Sequence, residues 1–277
     1  MLKIDSHQHF WHFTEKDYGW IGDDEKAIKQ DFLPNHLSSL LAENNIDGCV
    51  AVQARQSLEE TNWLIELAES HNFIKGVVGW IDLKSADLAQ QLDGYRLKKC
   101  LKGFRHVLQG EPDPNFMLDP TFVRGLNTLA GLGYRYDLLI FSHQLPQALE
   151  LVKQVPTLQI VVDHIAKPKI KEGLEFNQWK DLMLALGKYQ NISCKVSGMV
   201  TEADPNDWNK RDFIPYLDTV FQAFGEDRIM FGSDWPVCLL GGTYSDIKQI
   251  VAEYVESTCP QAFDKIFGMN AIKFYQL

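Results

Sequence analysis

Eight short apolar runs, separated by stretches with helical period, constrain this chain more than any other feature of it. In order they are Leu2–Ile4, Ile46–Val52, Ile74–Ile81, Leu101–Val107, Tyr134–Phe141, Leu158–Val162, Ile192–Val196 and Ile229–Phe231. They recur at intervals of roughly 25 to 45 residues, the span of one βα unit. Several are apolar almost without a break, as strands buried on both faces of a parallel sheet must be. Between them, Phe213, Leu217, Val220, Phe221 and Phe224 share one helical face, as do Trp179, Leu182, Met183 and Leu186, and Leu145, Ala148, Leu149 and Val152. Pro34, Pro120 and Pro146 stand where helices are expected to start, because a missing N–H costs little in a first turn. Strand and helix alternate throughout, which predicts the α/β class. Eight units predict a closed (β/α)8 TIM-type barrel, one domain over residues 1–277. An open doubly wound sheet is the rival, but no Gly-x-Gly-x-x-Gly follows any run.

The net charge of -10 argues against a nucleic-acid or anionic-membrane surface. The five cysteines, Cys49, Cys100, Cys194, Cys238 and Cys259, are scattered and form no Cys-x-x-Cys pair, so neither a disulfide framework nor a thiolate zinc site is expected. Lys3, Asp5 and His7 interrupt the start before any secretory leader, and no run approaches transmembrane length. The expectation is a soluble cytoplasmic protein. The one long irregular stretch, residues 10–33, carries Trp11, Phe13, Tyr18 and Trp20 and then Asp23, Asp24 and Glu25. It reads either as a lid over a site or as a surface loop pinned by its aromatics.

In barrels of this type the chemistry sits at the C-terminal ends of the strands. His7 and His9 follow the first run, and side chains at i and i+2 of an extended strand share a face. The last run ends in Gly232, Ser233, Asp234, Trp235 and Pro236. Closure makes the first and last strands neighbours, so His7, His9 and Asp234 are expected to meet at one mouth. Other runs deliver Gln53 and Arg55, Arg105 and His106, Asp163 and His164, and Lys195 to the same rim. Charge inside otherwise apolar strands is costly unless it is paired or used. Alternation predicts Arg105 and His106 on opposite faces, and Asp163 and His164 likewise, with His164 inward. Lys195 reads either as a rim group or as an ion-pair partner of a neighbouring strand. Trp11, Trp20 and Trp235 offer apolar faces to a ring or a methyl group.

Together, IDSHQHFW at the start, GFRHVLQGEPD, DHIAKP, KVSGMVTEAD and IMFGSDWPVC resemble the amidohydrolase superfamily, over essentially the whole chain. More narrowly they resemble its sugar-lactonase branch, which includes L-fuconolactonases and L-rhamnonolactonases. The resemblance implies hydrolysis of an aldonolactone to the aldonic acid in carbohydrate catabolism. It implies Asp234 as general base and His164, with Arg105, as the group polarising the carbonyl. His7 and His9 would occupy the position of the superfamily's first metal ligands. Trp11, Gln53, Arg55, His106, Lys195 and Trp235 are the expected substrate contacts.

This chain departs from the metal-dependent pattern of that superfamily. Its fourth run carries Arg105 and His106 where metal-dependent members commonly carry a metal-bridging lysine or glutamate, and its fifth run contains no histidine. A binuclear centre is therefore not expected, and no cofactor is expected to be required. The alternative is a single zinc ion held by His7, His9 and Asp234, with a fourth place for water. The expected partner is a small-molecule sugar lactone, and a homodimer is the open arrangement for assembly. Two further readings keep the barrel: a mononuclear zinc decarboxylase or hydrolase of a cyclic carboxylate, and a non-catalytic barrel that binds a sugar acid.

Overall fold

In the computed structural model, which describes residues 1–277, each predicted run contributes one strand to a single parallel sheet. The strands are β1 (Ile4–Gln8), β2 (Gly48–Val52), β3 (Ile74–Gly79), β4 (Leu101–Val107), β5 (Arg135–Leu139), β6 (Ile160–Val162), β7 (Ile192–Val196) and β8 (Ile229–Phe231). They pair in sequence order. The seam between β8 and β1 is closed by the Asp234 N–H, which donates to the His7 carbonyl at 2.8 Å, and by the His9 N–H, which donates to the Trp235 carbonyl at 2.7 Å. The result is the expected (β/α)8 barrel.

The outer layer is α1 (Pro34–Glu43), α2 (Leu58–Ser70), α3 (Leu88–Gly94), α4 (Pro120–Leu132), α5 (Leu145–Gln154), α6 (Phe176–Leu186), α7 (Ile214–Phe224) and α8 (Tyr244–Thr258). Pro34, Pro120 and Pro146 sit in the first turns of α1, α4 and α5, where their fixed φ suits the helix. A last short helix, α9 (Asn270–Tyr275), packs Ala271, Phe274 and Tyr275 against Ile4, Val50, Val78, Val161 and Met230 inside the barrel. It closes the N-terminal end with apolar surface and leaves only the opposite end open. No helix is long and apolar enough to cross a membrane.

The first strand lies further along the chain than hydropathy placed it. Leu2 is exposed, while Asp5, Ser6, His7 and Gln8 are all fully buried within β1. Most of their polar atoms find partners elsewhere in the barrel, although Gln8 Oε1 has none. One Asp5 oxygen accepts from the Ser233 N–H at 2.9 Å and the His7 N–H at 3.1 Å, and the other from the Tyr244 hydroxyl at 3.1 Å. Burial nevertheless pushes the Asp5 carboxyl up to about 6. Buried polar residues whose partners are all supplied belong in a core as readily as apolar ones, and an apolar run cannot reveal them.

Residues 10–33 fold back on themselves. Trp11 and Phe32 exchange backbone hydrogen bonds of 2.9 Å, the Trp11 indole donates to the Gln30 carbonyl, and Tyr18 donates to Glu60 at 3.0 Å. Its aromatics pin the loop, as in the second reading, while Asp17, Gly19 and the half-exposed Trp20 bring it to the mouth of the barrel, as in the first.

Candidate active site

The open end of the barrel holds a cavity of about 490 Å³ lined by His9, Arg105, His164, Lys167 and Asp234, with Arg55, Trp20, Gln109, Val107 and Leu139 around them. A larger cleft of 770 Å³ lies away from this chemistry, between α3, α4 and the chain end.

The two ends of the chain build the centre. His9 Nδ1 lies 2.8 Å from the Val52 carbonyl, which can only accept, so Nδ1 carries the hydrogen and Nε2 presents a lone pair. That Nε2 lies 3.2 Å from His7 Nε2 and 3.4 Å from Asp234 Oδ1. His164 Nε2 stands 3.7 Å from the same carboxylate oxygen, and its Nδ1 lies 2.8 Å from the Ser197 hydroxyl. The other oxygen, Asp234 Oδ2, is buried without a hydrogen-bond partner. Burial pushes the Asp234 carboxyl up, but His164, His9 and Lys167 together outweigh it and hold it below the usual carboxylate range. Burial, with lesser help from neighbouring cations, holds His7 well below the usual imidazole range. His164 is held there by burial against the pull of Asp234. At neutral pH the mouth therefore presents one ionised carboxylate among neutral imidazoles.

Backbone conformation aims these groups. His164, Ile165, Ala166 and Lys167 all have positive φ, between 44° and 60°, a left-handed turn that costs L-residues energy at each position. It begins where β6 ends and swings His164 into the mouth. Asp163, in line with inward Val161, faces the interior too. Both members of the pair are therefore inside, against the prediction from simple alternation. Gly198, at φ +61°, fits beneath the ring: a Cβ there would lie 2.7 Å from His164 Nδ1. Gly198→Ala is expected to displace His164 and lower kcat at least about tenfold, through strain and steric clash together. Steady-state kinetics beside a melting curve checks this, and an unchanged kcat would show that His164 needs no support there.

Beneath His7 lies a buried charged column. Lys195, fully buried, donates to Asp137 Oδ2 and lies 3.0 Å from both His7 Nδ1 and Asp163 Oδ1. Arg105 Nη1 lies 3.1 Å from Asp163 Oδ2 and from His7 Nε2, and Nη2 donates to the Gln53 carbonyl. The Tyr275 hydroxyl of α9 donates to Asp137 at 2.9 Å. Two acids and two cations thus compensate one another. Burial raises the Asp137 carboxyl to about 6 even beside Lys195. At Asp163, Lys195 and Arg105 outweigh burial and keep it below the usual range.

Several expected substrate contacts lie elsewhere. Trp11 and Trp235 are buried and do not line the cavity: Trp11 packs on Tyr18 and Phe32, and Trp235 on Phe10 and Phe32. Of the three tryptophans only Trp20 reaches the cavity. His106 faces outward from β4, opposite Arg105, stacks on Phe116 and pairs with Glu111 at 2.6 Å. Gln53 is buried, donating to the Arg105 carbonyl, and Lys195 lies under His7 as an ion-pair member. Arg55 does line the cavity, paired with Asp17 at 2.6 Å and Glu59 at 3.4 Å. Gln109 and Lys167 also line the site. Asp17 does so as well, and its position in a loop gave no signal.

By spacing alone, three of these side chains suit one divalent ion. Ligands 2.0–2.1 Å from a tetrahedral zinc stand roughly 3.3 Å apart. The His7–His9 and His9–Asp234 separations of 3.2 and 3.4 Å match this, and His7–Asp234 is 3.9 Å. A second grouping, His7, Asp163 and His164, shares His7 and uses an aspartate already bound to two cations.

A family model described as amidohydrolase matches residues 4–277. The chain belongs to the amidohydrolase family. Over its whole length this amidohydrolase is 38% identical to an L-fucono-1,5-lactonase of Burkholderia multivorans, covering 96% of it. It is 35% identical to an L-fucono-1,5-lactonase of Burkholderia ambifaria, also covering 96%. Two crystal structures of a Burkholderia multivorans amidohydrolase, one with bound HEPES and one with bound zinc, match this amidohydrolase at a TM-score of 0.96 and 37% identity, over 100% of both chains.

Proposed function

We propose that this amidohydrolase opens an aldonolactone of the L-fucono-1,5 type to its aldonate, with water activated by Asp234 and without a required metal. The observation that carries the reading is Asp234, which lines the cavity shared by His164 and Arg105, is held below the usual carboxylate range and has one oxygen, Oδ2, without a hydrogen-bond partner. Similarity to two L-fucono-1,5-lactonases supports the substrate class, and an L-rhamnono-type lactone is the second candidate.

In this mechanism Asp234 Oδ2 takes a proton from water as the water oxygen bonds to the lactone carbonyl carbon. Such general-base help contributes roughly 10²–10⁴ in rate. The carbonyl electron pair moves to oxygen, where the groups on the cavity wall receive it. With the Ser197 hydroxyl donating to Nδ1, His164 carries its hydrogen on Nε2 and donates to that oxygen. Arg105 Nε–H, buried with no partner, is a second donor. When the ring C–O bond breaks, Asp234 returns its proton to the leaving alkoxide. The cyclic-carboxylate decarboxylase reading needs arginines free to hold a carboxylate, and here Arg55 and Arg105 are already paired with acids.

A hydrolysis assay over a panel of aldonolactones, before and after prolonged chelation, tests this reading. Fast opening of an L-fucono- or L-rhamnono-type lactone that survives chelation is expected, and no turnover on any lactone would sink it. The same assay yields a pH profile. Asp234 is held below its usual range, so it stays deprotonated as pH falls, and His164 stays neutral through its usual range for the same reason. kcat/KM is therefore expected to stay flat from about pH 8 to about pH 5. An acid limb near 7 would remove Asp234 from the role of base.

A further inference from the structure

His7 is claimed from both sides. Arg105 Nη1 lies 3.1 Å from its Nε2 and Lys195 Nζ lies 3.0 Å from its Nδ1, and both are obligatory donors. A neutral imidazole has one N–H and one lone pair, so it can accept from only one of them at a time. When it accepts from Lys195, Nε2 carries the hydrogen and points it at the His9 Nε2 lone pair, 3.2 Å away. When it accepts from Arg105, the Nε2 lone pair is already occupied. With Nε2 accepting from Arg105, the Nδ1 hydrogen has Asp163 Oδ1 3.3 Å away, an oxygen that also lies 3.0 Å from Lys195 Nζ. In either tautomer His7 Nε2 has no lone pair to give to a metal ion, although its spacing from His9 and Asp234 suits one.

We propose that Arg105 and Lys195 together hold His7 out of metal ligation, so that a triad with zinc-site spacing works as a proton-handling centre. The proposal rests on the metal-free part of the function proposed above and names the residues responsible for it. These two cations are fixtures of the core. Lys195 is anchored on Asp137, which Tyr275 braces from α9, and Arg105 on Asp163 and the Gln53 carbonyl. On His7, Lys195 acts as a positioning residue, and Arg105 acts through Nη1, which leaves its Nε–H for the carbonyl oxygen.

The test reads metal affinity rather than turnover. Chelator-stripped wild type, Lys195→Gln and Arg105→Gln are titrated with zinc against a chromophoric chelator, and with cobalt(II) for its visible absorption. Each substitution frees one claim on His7, and zinc binding is expected to tighten about 10- to 100-fold, the worth of one hydrogen bond to a charged donor. A four-coordinate cobalt band is expected to appear with it. Adding Asp234→Asn to either variant is expected to abolish the gain. Wild type holding one equivalent of zinc as tightly as the variants would overturn the proposal. Because both substitutions disturb buried ion pairs, a second measurement uses wild type alone. Long-range proton–nitrogen spectra of the imidazoles, with one equivalent of zinc added, are expected to leave His7 Nε2 unmoved, and metal-bound shifts at both His7 and His9 would overturn the proposal. Lactone turnover on the same samples reports separately. A zinc-refusing His7 with no lactone turnover overturns the substrate reading alone, while turnover lost on stripping and restored by zinc overturns both.

Discussion

Asp234→Asn is expected to lower kcat for lactone opening by roughly 10²–10⁴-fold, the worth of a positioned general base, while the melting temperature stays near that of wild type. The substitution isolates charge from shape unusually well. Asp234 has φ 58°, a left-handed conformation that asparagine tolerates better than nearly any other non-glycine residue. The backbone hydrogen bond from Asp234 N–H to the His7 carbonyl therefore persists, and with it the barrel seam. What disappears is the negative charge of a buried cavity-lining aspartate, one of whose oxygens has no partner. Retention of more than about a tenth of wild-type kcat would assign water activation to another group.

His164→Asn follows the same logic on the electrophilic side. Asparagine suits φ 53° but is too short to carry a donor to where the imidazole Nε2 stands. Loss of one preorganised oxyanion donor is expected to cost about 10²–10³ in kcat, with KM changed much less because the ground-state carbonyl carries little charge. The discriminating readout is that split. A KM rise with kcat preserved would make His164 a substrate-binding residue and leave Arg105 as the polarising group.

The barrel was legible because parallel strands buried on both faces must be apolar, and runs such as Ile229–Phe231 show it directly. His7, His9 and Asp234 were legible as a group because closure brings the first and last strands together and a two-residue spacing shares a face. Legibility failed where tertiary context overrides local pattern. Asp5, Ser6 and Gln8 look like loop residues, yet they are strand residues: Asp5 and Ser6 find partners near the far end of the chain, and Gln8 donates to Cys49 on β2. The left-handed turn from His164 to Lys167 has no glycine to announce it, so alternation misjudged the neighbouring Asp163. Trp11 and Trp235 offered the right chemistry for a sugar ring, but an aromatic side chain does not declare whether it faces a ligand or Phe32. Lys195 was open between two roles, and its two aspartate partners, Asp137 on β5 and Asp163 just after β6, become neighbours only once the barrel closes.

The seam between β8 and β1 also sets an order of events during synthesis. His7 and His9 leave the ribosome well before Asp234 and Trp235, whose seam hydrogen bonds arrive only after seven βα units have been made. Contacts of such long sequence separation form late, because the intervening chain must be ordered before they are rewarded. A nascent chain stopped before β8 therefore carries both histidines without the carboxylate that faces them. Completion of this mouth is a report that translation has passed β8.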